Sequence, residues 1–274
     1  MAELRAAGQS VGFVPTMGAL HAGHCSLIDA ARAECDAVVV SIFVNPTQFA
    51  PTEDLSQYPR PIEADLAACA ECDVAVVFTP TPDEMYTDGA GGGLTTIAVA
   101  QLGEGLCGRS RPTHFDGVCT VVAKLLNLVG PDVLYLGQKD FQQAAILKRM
   151  VADLDFPVRV NVCPIVREAS GLALSSRNVY LDEEIRKKFA PKIYECLQVL
   201  AKKISDSAPS GAELRDFADS FFAECTPVFE LEYLELLDAE TLKPPANKGR
   251  NRVLVIAGCF GKTRLIDNVL IECD

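Results

Sequence analysis

Five short apolar runs punctuate the chain up to about residue 166: VGFVP (11–15), AVVVSIFV (37–44), VAVVF (74–78), DVLYLG (132–137) and PVRVNVCPIV (157–166). They are continuous rather than alternating, the pattern of strands buried on both faces of a parallel sheet. The segments between them carry helical spacing and predict helices over 24–36, 60–72, 116–129 and 139–153. Strand–helix–strand order of this kind implies right-handed crossovers and a doubly wound α/β sheet. Ligands of such sheets bind outside the carboxyl ends of the strands, so the unusual residues are sought there.

Beyond residue 170 the pattern changes. Helical stretches at 182–204 and 211–225 precede FELEYLELLD, RVLVIAGCF and RLIDNVLIE, three strand-like runs with partial alternation. This predicts a smaller C-terminal α+β domain with an antiparallel sheet, the domains dividing as 1–168 and 169–274. The segment EASGLALSSRN lies at the join, and GAGGG (89–93) reads as a flexible loop.

Composition removes several classes of function. Twenty-five basic against 37 acidic residues give a net charge of −12 and a pI near 4.8. With no basic stripe, nucleic acid is not expected as a partner. No run of 18 uncharged apolar residues is present, so no membrane span is expected. The segment MAELRAAGQS has no apolar signal core, which argues for a cytoplasmic location. Eleven cysteines are scattered through apolar contexts, and only Cys69 and Cys72 form a C-x-x-C pair, without a second pair or a nearby histidine. They read as reduced thiols acting as small hydrophobes.

Chemistry gathers at the ends of the runs. The first leads into PTMGALHAGH (15–24), a glycine-bearing turn that opens a helix with His24 near its N-terminus. Glycines let backbone N–H groups approach a phosphate, and a helix N-terminus favours anionic charge. His21 and His24, two of the three histidines in the chain, add donors for charge developing on phosphorus, where the plain alternative is a pair of capping or buried rings. SIFVNPTQF (41–49) offers Asn45 and Gln48, fit to orient a polar or hydroxylated substrate or to cap a turn. LYLGQKDFQQ (134–143) brings Gly137 for a turn, Lys139 as a point cation, Asp140 as a helix cap and Gln143 a turn further on. LALSSRN (172–178) supplies Ser175, Ser176 and Arg177, suited to triphosphate oxygens or to an ST-turn. GRSRPTHFDGV (108–118) adds Arg109, Arg111 and His114, either an anion contact or a surface loop. Asp65 reads either as a solvent-facing helix residue or as a carboxylate that reaches the site through water and helps hold Mg²⁺.

Taken together, PTMGALHAGH, SIFVNPTQF, DLSQYPR, GRSRPTHFDGV, GQKDFQQ and LSSRN resemble, in order and separation, the pantoate–β-alanine ligases. The resemblance spans residues 11–181. It implies a Rossmann-like nucleotidyltransferase-superfamily domain with an H-x-G-H motif, a smaller lid-like domain and a homodimer. It also implies condensation of pantoate with β-alanine through a pantoyl-adenylate, with Mg-ATP giving AMP and diphosphate. By motif, Met17, Gly18, Ala19, Leu20, His21, Ala22, Gly23 and His24 would hold ATP, together with Gly137, Gln138, Lys139, Asp140, Val166, Leu174, Ser175, Ser176 and Arg177. His24, His21 and Lys139 would be the catalytic groups. Gln48 would bind pantoate and β-alanine, and Gln143 pantoate. An H-x-G-H loop alone also fits enzymes that leave the nucleotide on their product; the Gln48–Gln143 pair and the LSSRN loop favour the ligase. Departures from the family pattern are Gln138 in place of Glu, Leu174 in place of Met, and a short leading segment. The last implies either a sheet short of an edge element or a misassigned start.

Overall fold

The five apolar runs fold as β1 (Val11–Thr16), β2 (Ala37–Ile42), β3 (Val76–Phe78), β4 (Val133–Gly137) and β5 (Arg159–Cys163). In this computed structural model, residues 51, 52, 54, 89–91, 205–208, 226–227, 246–248 and 273–274 lie outside the described part of the chain. All sheet pairings are parallel, in the order β3-β2-β1-β4-β5. The chain therefore runs outward from β1 through β2 to β3, then returns to the other side of β1 for β4 and β5. The crevice at the carboxyl ends of β1 and β4 is the topological switch point, where α/β sheets bind ligands.

The helices of this part are α1 (Ala2–Ala6), α2 (Ala22–Arg32), α3 (Ile62–Glu71), α4 (Pro82–Met85), α5 (Cys107–Ser110), α6 (His114–Val129) and α7 (Phe141–Asp153). Leu27, Ile28 and Ala31 of α2 pack with Val14, Val38 and Val40 of the sheet in one core. Each large apolar side chain among them contributes roughly 1.5–3 kcal/mol on burial. The helix starts two residues earlier than its apolar spacing predicts, because the cap is His21. Before α7, Gln138–Asp140 form a 3₁₀ turn, so the predicted 139–153 helix begins as a tighter turn.

The C-terminal part holds α8 (Lys192–Lys203), α9 (Gly211–Phe221), β6 (Phe229–Asp238), β7 (Arg252–Phe260) and β8 (Thr263–Ile271). The three strands form an antiparallel sheet in the order β6-β7-β8. Its inner face, with Leu234, Leu254 and Ile256, shares a core with Ile193, Leu197 and Leu200 of α8. The single helix expected over 182–204 is interrupted. A π turn covers Ile185–Phe189 and α8 starts after Pro191, which has no N–H to continue the ladder.

By contact density the chain divides into two units: Met1–Gln138 with Gln142–Pro164, and Lys139–Phe141 with Ile165–Asp274. Among the described residues no helix is long and apolar enough to cross a membrane. The GAGGG segment lies partly outside the described residues, as does Cys273. The other ten cysteines are free thiols. Burial pushes those of Cys119 and Cys196 up to about 12 and that of Cys69 up to about 11.

Candidate active site

The turn after β1 is built by one buried carboxylate. Asp65 of α3 is 2% exposed, which overturns the expectation of a solvent-facing residue. Its Oδ2 accepts the Ala19 N–H at 2.9 Å and its Oδ1 the Leu20 N–H at 2.7 Å. Thr16 Oγ1 donates to the Ser41 carbonyl at 2.8 Å and accepts the Gly18 N–H at 3.2 Å, fixing where the turn leaves the strand. Gly18 has φ +81°, and a Cβ there would stand 2.8 Å from Asp65 Oδ2; only glycine fits. With each oxygen engaged by a loop N–H, the Asp65 carboxylate holds the backbone of the turn.

That turn delivers two histidines in a reciprocal cap. His21 Nδ1 accepts the Gly23 N–H at 3.1 Å, and His24 Nδ1 accepts the His21 N–H at 3.3 Å. The ring centroids are 4.1 Å apart. A backbone N–H can bond only to a nitrogen lone pair, so in each neutral ring the hydrogen sits on Nε2. Capping and a functional role, set as alternatives by the sequence, are thus compatible. The cap fixes the tautomer, with the hydrogen of each ring on Nε2.

His24 also lines a cavity of about 160 Å³ together with Gln48 of the 3₁₀ turn Pro46–Gln48 and Gln143 of α7. Its remaining wall is mostly apolar: Val118, Val121, Val122 and Leu125 of α6, with Leu136, Leu147, Phe43 and Tyr58. Gln48 Oε1 accepts Asn45 Nδ2 at 3.0 Å, which fixes how its amide is turned. Asn45, 1% exposed, is itself held by Tyr86 Oη donating to its Oδ1 at 2.7 Å and by the Gly117 carbonyl accepting its Nδ2 at 3.2 Å. A second cavity, of about 560 Å³, lies at the carboxyl ends of β2 and β3 and shares Met17 and Phe43 with the first.

The GRSRPTHFDGV motif, undecided in sequence, turns out to back the Gln48 turn. Gly117 touches it so closely that a Cβ would stand 2.5 Å from the Thr47 carbonyl oxygen. Arg111 and His114 both donate to the Gln48 carbonyl, at 3.3 and 2.9 Å. Nothing in the spacing of the motifs pointed to the apolar wall from α6, or to Gln142. The Gln142 Oε1 accepts the Cys107 N–H while Nε2 donates to the Leu102 and Gly105 carbonyls, so its amide is given over to a neighbouring loop.

In the second unit, Val166 and Leu174 meet through the Leu174 N–H donating to the Val166 carbonyl at 3.0 Å. Ser175 caps the 3₁₀ turn Ser176–Tyr180 by accepting the Arg177 N–H at 3.3 Å, an ST-turn. The Lys139 carbonyl accepts Asn268 Nδ2 at 3.1 Å. Beside it, Asp267 is buried and takes a two-pronged bond from Arg167 at 2.6 and 2.8 Å. The Arg167 guanidinium in turn lies over the Tyr194 ring at 3.5 Å from its centroid.

A parallel sheet with a histidine-capped helix at its switch point, beside a small half-polar cavity, defines an α/β enzyme that works on a small polar substrate at its strand tips. The pantoate-beta-alanine ligase family matches residues 1–270. The chain is 48% identical over 274 residues to the pantothenate synthetase of Pseudomonas aeruginosa, covering 100% of this chain and 95% of the relative. It is 46% identical over 269 residues to that of a Sulfurihydrogenibium species, with 98% and 95% covered. Its fold is similar to the pantothenate synthetase of Thermus thermophilus, with TM-score 0.87, 45% identity and coverage of 99% and 97%. It is also similar to the pantoate-beta-alanine ligase of Francisella tularensis solved with beta-gamma ATP and beta-alanine, with TM-score 0.78, 40% identity and coverage of 97% and 92%. The chain belongs to the pantoate–β-alanine ligase family, and its activity is the ligation of pantoate to β-alanine.

Proposed function

We propose that this ligation runs in two displacements, with ATP as the activating substrate. In the first, a carboxylate oxygen of pantoate attacks the α-phosphorus of ATP. An O–P bond forms, the bond to the bridging oxygen breaks, and diphosphate leaves. In the second, the β-alanine amine attacks the acyl carbon of the pantoyl-adenylate, a C–N bond forms, the amine loses a proton and AMP departs. A carboxylate needs no general base for the first step, so His21 and His24 act as Nε2–H donors to phosphate oxygens rather than as proton acceptors.

The observation that carries this reading is the cavity shared by His24, Gln48 and Gln143. The valines and leucine of α6 suit the methyl-bearing carbon of pantoate, and the two glutamines suit its hydroxyl and carboxylate. Gln48 also meets β-alanine in the second step. ATP and β-alanine come to this chain from the molecules bound to the Francisella relative. Lys139 supplies a cation to the polyphosphate, and Ser175, Ser176 and Arg177 supply further donors; these assignments rest on the family resemblance. Mg²⁺ accompanies ATP as a counter-ion of its phosphates. Among the described residues no group of three or more His, Cys, Asp or Glu could hold a metal. The homodimer rests on the resemblance too, and the cytoplasmic location on the lack of an apolar signal core in MAELRAAGQS; a one-chain mass by light scattering removes the dimer.

Incubation with ATP, pantoate and β-alanine, omitting each in turn, tests the reading. AMP and pantothenate are expected together only in the complete mixture. A product that retains the nucleotide in the presence of β-alanine rejects it.

A further inference from the structure

The turn that carries Gln48 is held from behind by three charged or titratable side chains, none of which lines the cavity. His114, at the start of α6, donates from Nδ1 to the Gln48 carbonyl at 2.9 Å. Arg111 donates from Nη2 to the same oxygen at 3.3 Å, while its Nη1 stands 3.3 Å from His114 Nε2. A guanidinium has donors only, so His114 Nε2 must accept and the ring hydrogen lies on Nδ1. Glu53 receives the Arg111 fork, with Oε2 2.7 Å from Nη2, and accepts the Ala50 N–H at 3.3 Å. The carbonyl of Gln48 and the N–H of Ala50 are therefore both tied to one cluster.

We propose that Glu53, Arg111 and His114 are positioning residues that set the Gln48 turn for the pantoate-sized substrate, His114 acting through its Nδ1–H tautomer. The inference rests on the reading of Gln48 as a substrate contact. It accounts for charged residues spent on a peptide carbonyl, which a solvated loop would leave to water. Arg111 and Glu53 are only 18% and 21% exposed at their side chains, so the pair is shielded enough for its geometry to matter.

The test compares steady-state KM values for pantoate and ATP in Gln48→Ala, His114→Asn, His114→Gln and Arg111→Lys. Asparagine can place an amide N–H where Nδ1–H stands, whereas glutamine places it where Nε2 stands. Gln48→Ala is expected to raise the pantoate KM. His114→Gln and Arg111→Lys should raise it about tenfold, the effect of losing one well-placed hydrogen bond, with the ATP KM within about twofold. His114→Asn should stay within about threefold of the parent, and His114→Gln added to Gln48→Ala should cost less than about twofold more, because the two act on one contact. Equal pantoate KM values for His114→Asn and His114→Gln, or a parallel rise for ATP, overturn the inference. Arg111→Lys, which keeps the charge and loses the fork, gives the same readout independently of position 114. If Gln48→Ala leaves the pantoate KM unchanged, the pocket reading itself fails, and the inference falls with it.

Discussion

At the scale of single residues, chemistry is set by which hydrogen-bonding atom is already occupied. His21 and His24 give Nδ1 to backbone N–H groups and so carry their hydrogen on Nε2. Gln48 has the turn of its amide fixed by the Asn45 Nδ2 bond to its oxygen. Asp65 gives both oxygens to the turn. We expect His24→Ala and Lys139→Ala each to lower kcat by about 10²–10³-fold, the cost of about 3–4 kcal/mol for removing one preorganised donor at a developing oxyanion. Single-turnover formation of the adenylate measures this directly, and parent-like rates in either variant remove that residue from the mechanism. The two histidines and Lys139 stand out in the sequence because residues of these types at strand ends are few. Asp65 does not, because its spacing within a helix cannot reveal whether that face is covered.

At the scale of elements, the 3₁₀ turn Pro46–Gln48 and the start of α6 behave as one piece. Gly117→Ala should cost about 1–3 kcal/mol of stability, since the new Cβ meets backbone that must shift. Thermal melts together with the pantoate KM check it; unchanged values in both mean the turn can move freely. The Glu53 carboxyl adds a pH dependence. Burial works to raise it, and the Arg111 hydrogen bond and charge, with the Ala50 N–H, outweigh burial and hold it below its ordinary 4.5. A carboxyl lowered in the folded state contributes stability that is present above its unfolded value and fades as pH falls through the folded one. The parent should therefore lose stability relative to Glu53→Gln only below about pH 4.5, as read from denaturant midpoints. A difference between the two proteins that stays constant from pH 7 to pH 3 argues against the linkage. None of this was legible in the motif GRSRPTHFDGV, because the partners of Arg111 and His114 at Gln48 lie 63 and 66 residues away in sequence.

At the scale of the molecule, each unit has its own core and its own kind of sheet, parallel in the first and antiparallel in the second. The thiols belong to this scale as well. Burial raises those of Cys119, Cys196 and Cys69 well above the ordinary 9.0, so iodoacetamide at pH 7 should label these positions only after unfolding. Peptide mass mapping reads the result. Labelling of Cys119 in the native protein means that its surroundings open locally.

Pattern along the chain was enough to determine the parallel and antiparallel halves, since the central parallel strands β1 and β2 are buried along nearly their whole length and read as continuous apolar runs, and strands that alternate with helices pair in parallel. It was enough, too, to put glycines, histidines and amides at strand tips, because turns and helix caps restrict residue type within a few positions. Tertiary structure alone decided that α6 walls the cavity, that Asp65 holds the first turn and that Arg111 and His114 serve Gln48. Such choices depend on which distant backbone groups need partners once water is excluded, and a linear sequence carries no record of that until the chain has closed on itself.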